Sequence, residues 1–165
     1  MVSEAKLTTY LRNRLYRDVR EASDRAQFEA EIPQIVVRLK ELGQVNDREA
    51  GAAKLRQKLR TGHSLSSAVF NSALSSQVSK EIIEQELPGA LQESIPAACI
   101  AEGEDSKDQA HIMATLALKN SRRGPYRIGD KKIENYKRDE AWLMRRGFQY
   151  SVVRAVMMNN DNDNE

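Results

Sequence analysis

Residues 145–157 read RRGFQYSVVRAVM, a stretch that joins the end of one helix to the start of another. Gly147 follows two arginines, and glycine most readily takes up the left-handed backbone conformation of a helix C-terminal cap. Apolar residues then recur at helical spacing, namely Val152, Val153, Val156 and Met157. The stretch therefore predicts a helix from about residue 131 to Arg146, a turn at Gly147, and a final helix within 149–158.

The same periodicity extends upstream. It predicts a helix over residues 4–22, whose apolar face is Leu7, Leu11 and Leu15. It also predicts a second helix in residues 32–43, which ends at Gly43 and has an apolar stripe of Ile35, Val36, Leu39 and Leu42. Asn46 and Glu49 have the spacing of a capping box, which opens a helix to about residue 60.

The middle of the chain is less regular. Ser64 is expected to cap a serine-rich helix, and its apolar stripe is Leu65, Val69 and Leu74. A short helix from Ser79 is expected to stop at Pro88-Gly89. Residues 89–105 show no clear period, which indicates a linker.

Two further signals follow the linker. Ser106 and Gln109 form a second capping-box pattern, and Gly124-Pro125 predicts a break before the last two helices. Only 5% of the residues are aromatic and 30% are charged, a composition unlike that of a β-sandwich or barrel. The chain is therefore expected to be all-α.

The order of helices suggests internal repetition with a period of about 50 to 60 residues. The expected organisation is an incomplete first repeat (1–45), a three-helix repeat (46–88), a linker (89–105), a second three-helix repeat (106–158) and a disordered acidic tail (159–165). Tandem three-helix units of this kind predict an elongated, curved, solenoid-like array.

Composition limits the compartment. A single cysteine, Cys99, cannot form an internal disulfide, and no signal-peptide or membrane-spanning pattern occurs in the 165 residues. We expect a cytoplasmic, monomeric protein without a membrane partner. The two histidines and Cys99 have no metal-ligand spacing, and no phosphate-cradling or nucleophile motif is present, so neither a metal, a cofactor nor an enzymatic activity is expected.

Charge is unevenly distributed although 26 bases nearly balance 24 acids. Residues 54–60 carry four bases and no acid, and residues 119–138 carry eight bases and two acids. Residues 81–108 carry eight acids and one base. Such segregation favours surfaces of opposite sign on one molecule, although each run is also compatible with an ordinary solvated helix face.

Several segments resemble the RecX family. RRGFQYSVVRAVM at 145–157 resembles its C-terminal signature, and SRRGPYR at 121–127 is similar to the arginine-rich segment of members of the alphaproteobacterial type. RLKELGQVNDREAGA (38–52) and TGHSLSSAVFNSAL (61–74) are similar to the junction between the family's first two repeats and to the helix after it. The chain departs from the family pattern at Asn46, Ala50 and Gln77, the last of which replaces a usual glycine.

The resemblance implies a regulator of DNA repair and of the SOS response. Such a protein would bind the RecA filament, with DNA inside it, and would inhibit filament extension, ATPase, strand exchange and coprotease activity. An alternative from the residues alone is a helical DNA-binding module that acts without RecA, motivated by the two basic runs. A third is a structural adaptor that pairs through the serine-rich helix.

The candidate contact residues for a protein or nucleic-acid partner are basic or lie beside basic residues. Arginine offers a planar fork for carboxylate or phosphate. Arg145 and Arg146 would also favour the helix dipole, and the others could equally be solvated. The candidates are Lys54, Arg56, Lys58, Arg60, Arg122, Arg123, Tyr126, Arg127, Lys131, Lys132, Arg145 and Arg146. The aromatic residues Phe148, Tyr150 and Trp142 are expected in the core, and Cys99 is expected to be buried and inert.

Overall fold

A computed structural model describes residues 1–95, 106–128 and 132–158, with the side chains of the same residues apart from 106, 107, 132 and 133. Three predictions lie outside this part of the chain: the buried Cys99, the disordered tail 159–165, and the contact role of Lys131. Of the linker, only residues 89–95 are described.

The described residues form eight α-helices and one short 3₁₀ turn. The helices are α1 (Glu4–Asp18), α2 (Ala22–Glu41), α3 (Asp47–Arg60), α4 (Leu65–Ser76), α5 (Lys80–Ser94), α6 (Ser106–Ser121), α7 (Lys132–Met144) and α8 (Tyr150–Met158), with the 3₁₀ turn at Gly124–Tyr126. Extended pairing in these ranges is limited to an isolated bridge between Val2 and Val45. The all-α class is therefore confirmed. None of the described helices is long and apolar enough to cross a membrane.

Five of these helices end at a residue with a left-handed backbone: Gly43, Gly62, Gln77, Arg122 and Gly147. In each, the next N–H donates to the carbonyl five residues back, for example Phe148 N–H to Leu143 O (3.4 Å) and Arg123 N–H to Leu118 O (3.0 Å). This is the main hydrogen bond of a Schellman ending, which satisfies carbonyls left over at a helix terminus. Three of the five positions hold glycine, the expected residue, and two do not.

The predicted caps are partly confirmed. The side chain of Asn46 accepts a hydrogen bond from the Glu49 N–H (3.1 Å), and Ser64 accepts one from the Ser67 N–H (3.4 Å). The first and last predicted helices were placed correctly except that α1 ends at Asp18. The side chain of Ser106 lies outside the described residues, so its capping box stays a prediction.

Two predicted helix boundaries were wrong. The stripe before Gly43 belongs to a helix that begins at Ala22, with an exposed Pro33 inside it, and α5 continues through Pro88-Gly89 to Ser94. Proline removes one helical hydrogen bond but does not end a helix whose next turn is packed. Ala90, two residues after Pro88, is buried, and Ile95 N–H donates to Leu91 O (2.9 Å). Tertiary packing therefore overrode the local stop signal.

The chain divides into two compact units. The first comprises residues 1–54 and 72–87. In it α1 and α2 form an antiparallel pair, because Lys40 contacts Glu4 (2.8 Å) while Arg12 contacts Glu29 (3.3 Å). The predicted stripe of α2 is only partly buried: Val36 lies in the core, whereas Ile35 and Leu42 are exposed.

The second unit comprises residues 55–71 and the described residues from Pro88 onward. In it α6 and α7 both pack against α8, and the 3₁₀ turn contacts all three helices. Its core includes Leu118, Leu143 and Val153, which are fully buried. In α4, Val69 is buried as predicted, but Leu74 is 70% exposed, which contradicts the predicted stripe.

Candidate functional site

A buried carboxylate organises the second unit. The side chain of Asp139 is fully buried and accepts four hydrogen bonds. Arg127 donates two of them, from Nε to Oδ2 (2.6 Å) and from Nη2 to Oδ1 (2.8 Å). Arg123 donates from Nη1 to Oδ1 (3.0 Å), and the N–H of Gly124 donates to Oδ2 (2.7 Å). The carboxylate thus fixes the backbone of the 3₁₀ turn and the arginines on either side of it.

Local sequence explains how these groups meet. Arg123 and Arg127 both have extended backbones and bracket the turn, which Arg127 N–H closes by donating to Gly124 O (3.2 Å). On α7, Asp139 shares the inward face with Trp142 and Leu143, at positions i, i+3 and i+4. A charge on that face requires partners, since an isolated buried carboxylate is very costly.

The hydrogen bonds decide the protonation state of this group. Burial by itself would raise the pKa of Asp139, but the hydrogen bonds from Arg127, the Gly124 N–H and Arg123 outweigh it and hold the pKa below its ordinary value. The same hydrogen bond raises the pKa of Arg127. The pair is therefore ionised at neutral pH.

Arg146 occupies a second fixed position, next to this cluster. Its guanidinium lies over the ring of Trp142, 3.6 Å from the ring centroid, and its Nε donates to the carbonyl of Thr61 (3.0 Å). Arg123 also lies over the Trp142 ring, at 4.9 Å. Cation–π stacking and a backbone hydrogen bond together restrict a side chain that is usually mobile.

The position of Arg146 depends on two helix ends that pack against each other. The N–H of Ser64 donates to the carbonyl of Arg146 (2.9 Å). Gly147 has a φ of +84°, and a Cβ at this position would lie 2.5 Å from the Cβ of Ser67 and 2.8 Å from the Ser64 hydroxyl. The RRG sequence is therefore required here for backbone and packing reasons as well as for charge.

The surroundings of Arg146 are electropositive. Burial lowers the pKa of Arg146, and the charges of Arg123 and Arg145 lower it further. Burial likewise lowers the pKa of His63, with added effects from Lys58 and Arg146. Within the described ranges, no carboxylate lies within ion-pair distance of Lys58, Arg145 or Arg146.

The predicted contact residues of α3 are not equivalent. Arg56 pairs with Glu93 at 3.4 Å, and Lys54 is half-buried and engaged within the protein. Lys58 faces His63. Arg60 is exposed and lines a cavity of about 220 Å³ with Asn120 and Ser121. Lys58 is thus linked to Arg146 only through His63, on whose pKa both positive charges act.

The predicted contacts around Gly124-Pro125 are also divided. Arg123 and Arg127 are occupied by Asp139, so their role as partner contacts stays a prediction while their structural role is established. Arg122 is exposed, and Tyr126 is half-buried. Lys132 is the first residue of α7, and its side chain lies outside the described residues.

The aromatic predictions were right in two cases of three. Phe148 and Trp142 are buried, as expected. Tyr150 is 56% exposed, so its assignment to the core was wrong. It is the first residue of α8 and lies at the helix N-terminus, where its side chain stays outside the core although Val153, three residues further on, is buried.

Asp139 is the functional residue that the sequence analysis missed. It lies one position beyond the basic segment 119–138. A signal was present, because an acid at an inward helical position of an amphipathic helix, followed by Trp142 and Leu143, requires cationic partners. The two arginines that flank Gly124-Pro125 are the nearest upstream candidates.

No protein-family model, curated protein or solved structure matches this chain in comparisons of its sequence and fold. The RecX resemblance therefore depends on the quoted segments alone.

Proposed function

We propose that the protein binds the RecA–DNA filament and inhibits it, as the resemblance of residues 145–157 to the RecX signature implies. Inhibition requires only that the protein bind one filament state better than another, and a difference of about 1.4 kcal/mol changes that equilibrium tenfold. No catalytic step is part of this proposal.

The observation that carries the proposal is the arrangement of the signature itself. Gly147 forms the turn and Phe148 is buried in the core. Arg146 lies over the ring of Trp142, and its two terminal nitrogens have no partner among the described residues. Arg145 and Arg146 have no acidic partner among the described residues. Their charges are therefore suited to contact with an anionic surface such as a nucleoprotein filament.

The deciding experiment is the DNA-dependent ATPase of the cognate RecA with substoichiometric added protein. The proposal expects the rate to fall as the protein is added. No change at any ratio would exclude it. Arg20→Gln is a suitable control variant, because Arg20 is an exposed arginine outside the signature and outside the predicted contact residues, and the variant should inhibit as the wild type does.

The proposal includes the arrangement of helices as tandem three-helix repeats in an elongated array. It is supported by the recurrence of Schellman endings along the chain, which occur once in residues 1–45, twice in 46–88 and twice in 106–158. Small-angle X-ray scattering tests it. A compact 165-residue domain has a radius of gyration of roughly 15 Å, and an elongated array should exceed this clearly.

A second candidate function is DNA binding without RecA, favoured by Lys58, Arg145 and Arg146, which have no acidic partner among the residues that the structure describes. It predicts tight binding to bare DNA that weakens steeply with salt, because counterions are released from the phosphates. If bare DNA is not retarded at low salt, this candidate fails.

A further inference from the structure

The turn between α3 and α4 and the turn between α7 and α8 meet at a group of basic side chains. Lys58 and His63 come from the first turn and its helix, and Arg145 and Arg146 from the second. The hydrogen bonds from Ser64 N–H to Arg146 O (2.9 Å) and from Arg146 Nε to Thr61 O (3.0 Å) join the two turns directly. These bonds connect the two turns from which, or next to which, the four side chains extend.

We propose that this junction is a phosphate-binding site in which Arg146 provides the central contact, with Lys58, Arg145 and His63 around it. The inference rests on the proposed function for the source of the phosphate, which would be the nucleic-acid backbone, but the site itself is defined by the geometry of the second unit alone. A free nucleotide or inorganic phosphate shares the same chemistry.

Arg146 is prepared for such a ligand before the ligand arrives. One face of its guanidinium is against Trp142 and its Nε is used by Thr61. The two terminal nitrogens, which have no partner in the described residues, form the edge that binds two oxygens of one phosphate. Little side-chain entropy remains to be lost on binding, which is the usual benefit of preorganisation.

The electrostatics favour an anion with more than one acceptor oxygen. Lys58, Arg123, Arg145 and Arg146 act on this junction, and Asp139 is engaged by Arg123 and Arg127 rather than by Arg146. A single carboxylate would leave most of these charges uncompensated. A phosphate offers several oxygens to several donors at once.

His63 reports on the site. The hydroxyl of Thr61 lies 3.2 Å from its Nδ1, and the charges that act on its pKa are those of Lys58 on α3 and Arg146 at the α7–α8 turn, both positive. An anion between these groups would favour the protonated imidazole. An opposite charge within about 4–6 Å moves a pKa by roughly one unit or more, so bound phosphate should raise the titration midpoint of His63 by about that amount.

The test is an NMR titration of the two imidazole resonances of the full-length protein. His63 is the reporter and His111, on α6, is the internal control. The pH is varied at increasing inorganic phosphate, at increasing ADP, and with a single-stranded oligonucleotide, against chloride at equal ionic strength. We expect the His63 midpoint to rise while that of His111 stays in place.

Two variants make the result specific. Arg146→Gln should abolish the shift of His63, and Arg20→Gln, at an exposed arginine outside the signature, should preserve it. Because Arg146 also joins the two turns, Lys58→Gln is a second variant that removes a charge without removing the junction, and it should reduce the shift. Because Arg146 stacks on Trp142, tryptophan fluorescence would change with Arg146→Gln itself, so far-UV circular dichroism and the thermal unfolding midpoint are used to check that each variant is folded.

The outcomes are distinct. A shift with the oligonucleotide alone assigns the site to a nucleic-acid backbone, and a shift with phosphate or ADP assigns it to a small phosphate ligand. No shift with any of the three, or an equal shift in Arg146→Gln, overturns the proposal. RecA is not present in this assay, so a site that binds phosphate in a protein that does not inhibit RecA would reject the proposed function and keep the site.

Discussion

Arg127 binds Asp139 through two parallel hydrogen bonds, of 2.6 and 2.8 Å, across a distance of twelve residues in sequence. The pair joins the Gly124–Tyr126 turn to the inward face of α7. Arg123 and the Gly124 N–H complete the coordination of the carboxylate. The basic segment at 121–127 is therefore a fixed part of the second unit and is held by a single acid.

Replacement of Asp139 by asparagine should destabilise the protein strongly. It leaves two arginines near a buried position without a counter-charge, and breaking a buried ion pair from one side costs about 3–5 kcal/mol. For a chain of this length the melting temperature should fall by roughly 6–20 °C. Thermal and urea unfolding measure this. A change within error would show that the carboxylate is dispensable.

The stability contributed by Asp139 should depend on acid pH. Its pKa is lowered in the folded protein, so its contribution is fully present above the unfolded value near 4 and is lost as pH falls through the folded value. The difference in unfolding free energy between the wild type and Asp139→Asn should therefore be constant from pH 7 to 5 and shrink below about pH 4. Urea midpoints at each pH check it, and a constant difference down to pH 2.5 would contradict it.

Gly147→Ala should destabilise the protein more than Gly43→Ala. Both glycines have a positive φ, but a Cβ at Gly43 meets nothing within 4 Å, whereas one at Gly147 lies 2.5 Å from the Cβ of Ser67. The Gly43 variant measures the backbone cost, about 1 kcal/mol, and the Gly147 variant adds the cost of a clash, about 1–3 kcal/mol by the usual effect of overpacking. Equal losses of unfolding free energy in the two variants would show that the turn at Gly147 moves to accommodate the added methyl group.

Gln77→Gly should stabilise the protein. Gln77 has a φ of +55° at the end of α4, a conformation that costs a residue with a side chain about 1 kcal/mol relative to glycine. This is the position at which the sequence departs from the glycine of the RecX pattern. A rise in the urea midpoint with an unchanged m-value is expected, and RecA inhibition should not change.

Arg122→Gly separates structure from function. Arg122 has a φ of +49° at the end of α6 and is exposed, so glycine should raise stability by about the same amount as at Gln77. If Arg122 contacts the filament, the more stable variant should inhibit RecA less well. Retained inhibition would remove Arg122 from the interface. Unlike a change at Arg123 or Arg127, this variant removes no hydrogen bond to Asp139.

Sequence patterns predicted the helices better than their ends. Gly43, Gly62 and Gly147 marked helix ends correctly because a left-handed residue is a local requirement. The helix end predicted at Pro88-Gly89 was wrong, because tertiary packing, which buries Ala90, keeps α5 helical to Ser94. The helix endings at Gln77 and Arg122 could not be predicted from the sequence, because neither residue favours the left-handed backbone conformation by itself.

The sequence predicted individual residues of the candidate site but not how they are grouped. Arg146, Arg123 and Lys58 were recognised as basic, but periodicity could not distinguish the arginine stacked on Trp142 from the arginines bound to Asp139. That distinction depends on which turns pack together, as Ser64 and Arg146 do, and such long-range pairing has no local signature.

The two units are interleaved along the chain, because residues 55–71 of the second interrupt the first and residues 72–87 of the first interrupt the second. A ribosome that has released residues 1–54 has not yet released all of the first unit. Assembly of that unit must await residue 87, by which time part of the second is already exposed. Truncation at residue 54 or 71 would therefore yield fragments that each lack part of a core, and helix-by-helix dissection should be made by point substitution in the intact chain.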